Sequence, residues 1–238
     1  DAYLLVRSGF TDCMIAGGSE APITLQTLSA LCNLGVVSEK GPKPYCIDRD
    51  GFAISEGAGL VVLEEKEKAL NRKAKIYAEI KGYGQSIDGN KQMLALNLEG
   101  RYLKKAIEKA LVMSNLDRNS IDYINTHGTA TQTCDQIETR VIKDVFEDHA
   151  RNLNISSTKS MTGHSMGAVG GIEAIISCLA MENNLVPPTI NLYTPDPACD
   201  LNYTPNKAVE KQIRNSLVIS MGFGGYNTAL ILGKYKGK

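Results

Sequence analysis

Short apolar runs, each stopped by glycine or a polar turn, alternate along the chain with stretches of helical period. Cys13-Met14-Ile15-Ala16-Gly17-Gly18 reads as a buried strand stopped by glycines. Leu60-Val61-Val62-Leu63-Glu64 is a second strand, entered through the glycine-punctuated stretch 50–59. Residues 74–83, 121–124 and 153–156 give three more. Residues 217–220 and 228–232 give two further strands, joined by the turn Gly222-Phe223-Gly224-Gly225. Helical spacing covers 101–113, with Leu103, Ile107 and Leu111 on one face, and also 133–146. Residues 64–73 form a charged helix, and 167–181 a helix whose Ala168, Gly170, Gly171 and Ala174 allow close approach of a neighbour. Residues 1–9 look like the second half of an amphipathic helix ending at Gly9. Residues 21–35 are helical or irregular, 41–44 a surface loop and 88–100 a loop. Strands and helices alternate, so the fold class is α/β. The strand entry Gly57-Ala58-Gly59-Leu60-Val61-Val62-Leu63 weakly echoes Gly225-Tyr226-Asn227-Thr228-Ala229-Leu230-Ile231-Leu232, as a duplicated fold would.

Composition narrows the function only a little. The 26 basic and 26 acidic residues cancel, which points to neither a nucleic-acid nor a membrane partner, while a local basic patch could still meet an acidic protein. No apolar run is long enough to span a bilayer, and the six cysteines show neither a CxxC pair nor metal spacing. They read as reduced thiols of a cytoplasmic compartment, and no metal site is expected.

The chemistry concentrates in Asn125-Thr126-His127-Gly128-Thr129-Ala130-Thr131 and Ser157-Thr158-Lys159-Ser160-Met161-Thr162-Gly163-His164, which hold two of only three histidines. Both imidazoles stand among small, hydroxyl or glycine residues, where two ring donors can stabilise one developing enolate or oxyanion. His164, placed near a helix N-terminus, is expected to stay neutral. Glu173, among Ile172, Ala174, Ile175 and Ile176, needs a partner, and Lys159 is the candidate. Two rivals stand beside this reading. Gly163-His164-Ser165-Met166-Gly167 fits the G-x-S-x-G nucleophile elbow, but residues 159–162 separate it from the preceding strand and no histidine follows His164. Cys134, soon after His127, could be a thiolate nucleophile, or a small buried residue.

Taken in order, these motifs resemble the β-ketoacyl-acyl-carrier-protein synthases, in particular the KAS II-like elongating enzymes of thiolase-like fold. The landmarks are Met14-Ile15-Ala16-Gly17-Gly18-Ser19-Glu20-Ala21, Asp48-Arg49-Asp50-Gly51-Phe52, the two histidine motifs and Gly222-Phe223-Gly224-Gly225, with Val186-Pro187-Pro188-Thr189-Ile190-Asn191-Leu192 besides. The resemblance implies a layered α-β-α-β-α fold, with residues 1–73 the end of its first half and 74–238 its second half. It implies that His127 and His164 are the catalytic histidines, which drive decarboxylation of malonyl carrier protein and stabilise its enolate. Lys159 and Glu173 would be their supporting ion pair. Thr129 and Thr131 would hydrogen-bond a phosphopantetheine arm, and Phe223 would gate the acyl pocket. The reaction implied is a decarboxylative Claisen condensation that needs no cofactor of its own, because the arm is carried by the partner acyl carrier protein. Other implied partners are the N-terminal portion of the same synthase and a second subunit, in a homodimer or in a heterodimer with a related ketosynthase.

The family's acyl-accepting cysteine lies on the helix before the Met-Ile-Ala-Gly-Gly strand, and none of the six cysteines matches it. The expectation is therefore a synthase fragment or one piece of a split protein, inactive and unstable alone, with apolar strand faces open. Gln132-Thr133-Cys134 stand where the family has Pro and then Gly before Asp135, Tyr226 stands in place of Thr, and residues 89–94 replace an Ala-Tyr-His-Met-Thr-like run. These departures leave room for a polyketide or other specialised pathway. The alternative, a non-catalytic partner like a chain-length factor, has no need to keep His127, Lys159 and His164 together.

Overall fold

The computed structural model describes residues 1–89, 97–235 and 237. In chain order the elements are α1 (Ala2–Arg7), β1 (Cys13–Glu20), α2 (Leu25–Asn33), β2 (Gly57–Glu64), α3 (Lys66–Asn71), β3 (Glu79–Ile87) and α4 (Arg101–Ser114). Then follow β4 (Tyr123–Asn125), α5 (Gln132–Phe146), β5 (Asn154–Ser156), α6 (Lys159–Thr162) and α7 (Val169–Asn183). The chain ends with β6 (Leu185–Val186), β7 (Val209–Glu210), β8 (Asn215–Gly222) and β9 (Tyr226–Gly233).

Five strands form a mixed sheet in the order β3-β9-β8-β4-β5, antiparallel across β3, β9 and β8 and parallel across β8, β4 and β5. Strand alternation sends Leu217 and Ile219 of β8 into a core with Leu103 and Ile107 of α4 and Val141 and Phe146 of α5. Val218, between them, packs in a second core with Ala180 and Met181 of α7. The sheet thus lies between α4 and α5 on one face and α7 on the other. The far side of α7 meets a two-stranded antiparallel ribbon of β1 and β2. Helix, sheet, helix and ribbon give the layer order of a thiolase-like fold.

The ribbon departs from the buried strand expected for 13–18. Its inner face packs on α7, but on the outer face Ile15 is 73%, Leu60 57% and Val62 61% exposed. The apolar run codes for a strand covered on both sides, and among the described residues only one side is covered. Two further differences have local causes. The strand expected over 74–83 runs from Glu79 to Ile87. Gly82 and Gly84 look like breakers, yet they let the α4 backbone come close: a Cβ on Gly84 would lie 2.0 Å from the Ala106 carbonyl oxygen. The loop at 41–44 is only partly a surface feature, since it leads into the buried pair Tyr45 and Cys46. Residues 90–94 of the departure noted above fall outside the described residues.

Close approach of α7 to the ribbon rests on Gly171 and not on Gly170. A Cβ on Gly171 would sit 2.1 Å from the Gly59 carbonyl oxygen, with backbone on both sides, whereas one on Gly170 meets nothing within 4 Å. Gly171→Ala is expected to lower the thermal midpoint of the full-length protein, by overpacking worth about 1–3 kcal/mol. Gly170→Ala should raise it, since alanine is the better helix former by about 1 kcal/mol. Equal shifts for the two variants would contradict this packing.

Candidate active site

Parallel strands end side by side at β4, β8 and β5, and the crevice beyond their carboxyl ends is where such sheets place functional groups. β4 stops at Asn125, and the Thr126 amide, donating 3.0 Å to the Ser156 carbonyl, carries the pairing one residue further. The chain then turns through Gly128 at φ 37°, where a Cβ would lie 2.5 Å from that of Ser157. Only glycine lets this turn press on the end of β5. Ser157 Oγ locks the contact by donating to the Gly128 carbonyl at 2.6 Å.

The turn that carries His127 is gripped from α5. Glu138 Oε1 accepts the His127 amide at 2.7 Å, and Oε2 accepts the Gly128 amide at 2.9 Å. The phenol of Tyr45 has one hydrogen for two acceptors, Thr126 Oγ1 at 2.6 Å and the same Oε2 at 3.1 Å, while Thr126 gives its own hydrogen to the Ser156 carbonyl. Glu138 is fully buried, and burial pushes its carboxyl above the ordinary range although these amides, Lys159 and Tyr45 all pull it down.

His164 arrives from the opposite side. After β5 the chain makes the short helix α6, which ends at Gly163 with φ 71°. A Cβ at Gly163 would meet Ser55 Cβ at 2.8 Å, so the turn packs directly on residues 53–55. The His164 amide donates to the Ala53 carbonyl at 2.7 Å, and the Ser55 amide donates to the His164 carbonyl at 3.1 Å. Phe52 meets the His164 ring edge to face at 5.0 Å.

The structure brings the two imidazoles together, with ring centroids 5.6 Å apart and planes at 88°. Nδ1 of each ring is buried without a hydrogen-bond partner among the described residues. Burial, then the Lys159 charge, holds His164 down at about 3. Burial, then Lys159 and His164, holds His127 well below the usual imidazole range. The neutral state of His164 follows from burial and Lys159, whereas the sequence suggested a helix terminus as its cause. Both rings are neutral, so each has one N–H to give and can polarise an oxygen without surrendering a proton. Their folded values lie below the unfolded one, so the stability these neutral rings permit is lost as pH falls below 6.5, for His164 down to about 3. Neither ring should titrate between pH 5 and 8 in a histidine NMR titration of the full-length protein. A midpoint near 6.5 for either would refute the neutral pair.

Lys159, in the first turn of α6, hydrogen-bonds Glu173 Oε1 of α7, and both side chains are 1% exposed. Burial pushes the Glu173 carboxyl up to about 7 against the pull of Lys159 and of the Ser220 hydroxyl. Thr129 and Thr131 place their hydroxyls 3.0 Å apart. Thr131 is the N-cap of α5 yet makes no capping bond, so its hydroxyl is left to Thr129. Phe223 stands on a different element, at the β8–β9 turn, with half its surface exposed.

Reading the sequence missed Glu138, Tyr45 and the Arg49 cluster. Arg49, fully buried, binds Asp196 Oδ2 at 2.7 Å and the carbonyls of Cys46, Thr131 and Gln132, with Asp135 at 3.4 Å. This cluster ties residues 45–49 to the start of α5. A signal did exist: Glu138 follows Ile137 on the apolar face that Val141, Ile142 and Val145 continue.

The rivals fare differently from the histidine pair. Ser165 follows a helix instead of a strand, is buried, and has an unstrained backbone at φ −88°, so it is no nucleophile elbow. Burial pushes the Cys134 thiol up to about 11, which leaves it protonated at neutral pH.

Comparison with known proteins gives two family matches: the β-ketoacyl synthase N-terminal domain over residues 2–69 and the β-ketoacyl synthase C-terminal domain over residues 77–193. The 3-oxoacyl-[acyl-carrier-protein] synthase 2 of Synechocystis sp. is 43% identical over 242 aligned residues, which cover 99% of this chain and 58% of that protein. The chain thus spans a little more than half the length of that curated relative. Among solved structures, the ketosynthase AntDE:AntF, a type II PKS acyl-carrier protein in complex with its ketosynthase bound to the hexaketide, superposes with a TM-score of 0.96 at 36% identity, covering 99% of this chain and 59% of that one. The ishigamide ketosynthase/chain length factor superposes with a TM-score of 0.93 at 37% identity, covering 98% and 57%.

Proposed function

The chain belongs to the β-ketoacyl synthase family, and from that premise we propose that its buried histidine pair is the decarboxylation site of a 3-oxoacyl-[acyl-carrier-protein] synthase. The substrate is malonyl thioester on the phosphopantetheine arm of an acyl carrier protein. The observation that carries this reading is the pair of neutral, buried imidazoles 5.6 Å apart with the Lys159 ammonium behind them. The malonyl carboxylate leaves as carbon dioxide, and the electrons of the broken carbon–carbon bond pass into an enolate. The two ring N–H groups donate to its oxygen, where charge develops. Lys159, held by Glu173, adds positive potential while its own charge is balanced. The enolate carbon then attacks the carbonyl of an acyl thioester held on a cysteine nucleophile, releasing that thiol.

Thr129 and Thr131 lie next to His127 on the same loop, and their paired hydroxyls suit the amides of the phosphopantetheine arm. Phe223, half exposed on the glycine-flanked turn, is the gate of the acyl pocket in this reading. The partners are the acyl carrier protein, the rest of the synthase and a second ketosynthase-type subunit. A non-catalytic role like that of a chain-length factor would give no reason to keep two depressed imidazoles over a buried lysine. The test is to incubate the full-length protein with malonyl carrier protein and follow the carrier by intact mass. Conversion of the malonyl to the acetyl form supports the reading, and a malonyl carrier that persists unchanged overturns it.

A further inference from the structure

The Tyr45 side chain is placed at a cost that its packing alone does not explain. Its backbone sits in the left-handed region at φ 65°, which a bulky aromatic rarely adopts. Both backbone polar groups are clamped there: the amide donates to Asp135 Oδ2 at 2.8 Å, and the carbonyl accepts the Asp196 amide at 2.8 Å. The ring stacks on Tyr203 with centroids 3.6 Å apart and planes at 14°. The result is that the phenol reaches the one carboxylate oxygen, Glu138 Oε2, that also accepts the Gly128 amide. The same hydroxyl lies so near the turn that a Cβ on Gly128 would be 2.9 Å from it.

We infer that Tyr45 is a positioning residue for His127. Its one hydroxyl hydrogen lies between Thr126 Oγ1 at 2.6 Å and Glu138 Oε2 at 3.1 Å, and the part it gives to Glu138 makes it the third donor that keeps Glu138 an acceptor for both amides of the His127–Gly128 turn. Tyr45 does not touch the reacting atoms; it acts through Glu138. The three donors favour the ionised form of a carboxyl that burial pushes the other way, and only the ionised form can accept from two amides and a phenol together. When Glu138 takes a proton, one oxygen becomes a donor and must release an amide, which loosens the turn that aims the imidazole. The other groups facing Glu138 are Lys159 on α6, which favours its ionised form, Glu173 on α7, a like charge, and Asp135 on its own helix, whose carboxyl burial has already raised to about 7.

The inference rests on the decarboxylation reading, and its test separates the two. Tyr45→Phe keeps the ring and the stack and removes only the hydroxyl. In the full-length protein, kcat for malonyl carrier decarboxylation should fall roughly tenfold at pH 7, the size of one lost hydrogen bond to a charged group. The loss should grow as pH falls, because Glu138 without its phenol donor takes up its proton at a higher pH. Tyr203→Phe is the control: it removes a neighbouring buried hydroxyl that bonds Thr139 Oγ1, and its pH profile should match the parent's. Amide exchange gives a readout independent of activity, with His127 and Gly128 exchanging faster in Tyr45→Phe. A Tyr45→Phe profile parallel to the parent's at every pH, with unchanged exchange at these two amides, overturns the inference. A parent protein that does not decarboxylate overturns the functional reading, while the exchange experiment still decides the role of Tyr45.

Discussion

Replacing either His127 or His164 with alanine is expected to slow carbon dioxide release from malonyl carrier protein by about two to three orders of magnitude, the usual consequence of losing one preorganised donor to an oxyanion. The magnitude depends on where the donors stand. Both rings are neutral because burial and the Lys159 charge hold their pKa values down. They therefore donate without first giving up a proton. Both sit on turns fixed by backbone hydrogen bonds, to Glu138 on one side and to Ala53 on the other. Little reorganisation is needed when charge develops on the substrate. Removing one ring leaves the enolate oxygen with half its donors and opens the site to water. Ser165, next to His164 in sequence and also buried, makes the informative control, and Ser165→Ala should stay within a few-fold of the parent. Radiolabelled carbon dioxide release from single turnovers measures both. A rate within a few-fold of the parent for His127→Ala or His164→Ala would sink the assignment, and a large loss for Ser165→Ala would revive the serine nucleophile.

The histidines and the Lys159–Glu173 pair were legible because their chemistry is local. Each histidine lies in a run of small and hydroxyl residues too short and too polar to be a packing face, and Glu173 is flanked by isoleucines that mark its side of the helix as buried. Tyr45 was not legible because it reaches Glu138 across 93 positions of sequence, and Glu138 was not because the amides it accepts belong to a turn 10 and 11 positions back. A glutamate on an amphipathic helix ordinarily faces water, and nothing near Glu138 in the chain announces the two amides that need it. The mistaken end of β3 has the same origin. Gly84 lies just past the expected end at 83, and the strand runs on through it because α4 lies on its bare backbone. The apolar pattern of β1 and β2 was read correctly as strand, but burial depends on what covers the ribbon, and that is not written in the strand itself.

The second large effect concerns Lys159 and Glu173, where the two single variants should behave differently. Both side chains are 1% exposed, so removing one partner leaves the other as a buried, unpaired charge, a loss that typically costs about 3–5 kcal/mol. The carboxylate has an escape, because it can take up a proton. Burial has already pushed Glu173 up to about 7, against an ordinary 4.5, even with Lys159 present. In Lys159→Met the pull of the ammonium is gone, so the carboxyl moves higher still and is protonated at pH 6. Glu138, which also leans on the Lys159 charge, moves the same way. A carboxyl whose folded pKa is raised binds more protons folded than unfolded, so stability declines as pH rises from about 4.5 through the folded value. Lys159→Met should therefore be mildly destabilised at pH 6 and severely at pH 8. Glu173→Gln removes the carboxylate that Lys159 bonds and leaves no carboxyl there to take up a proton, so its loss should be large at pH 6 and at pH 8. Replacing both, as Lys159→Met with Glu173→Leu, removes the buried charges together and should recover most of the stability while abolishing decarboxylation. Denaturation midpoints of the full-length protein at the two pH values decide the matter. Equal losses for Lys159→Met at pH 6 and pH 8 would mean that Glu173 does not take up the proton and that something other than Lys159 neutralises it.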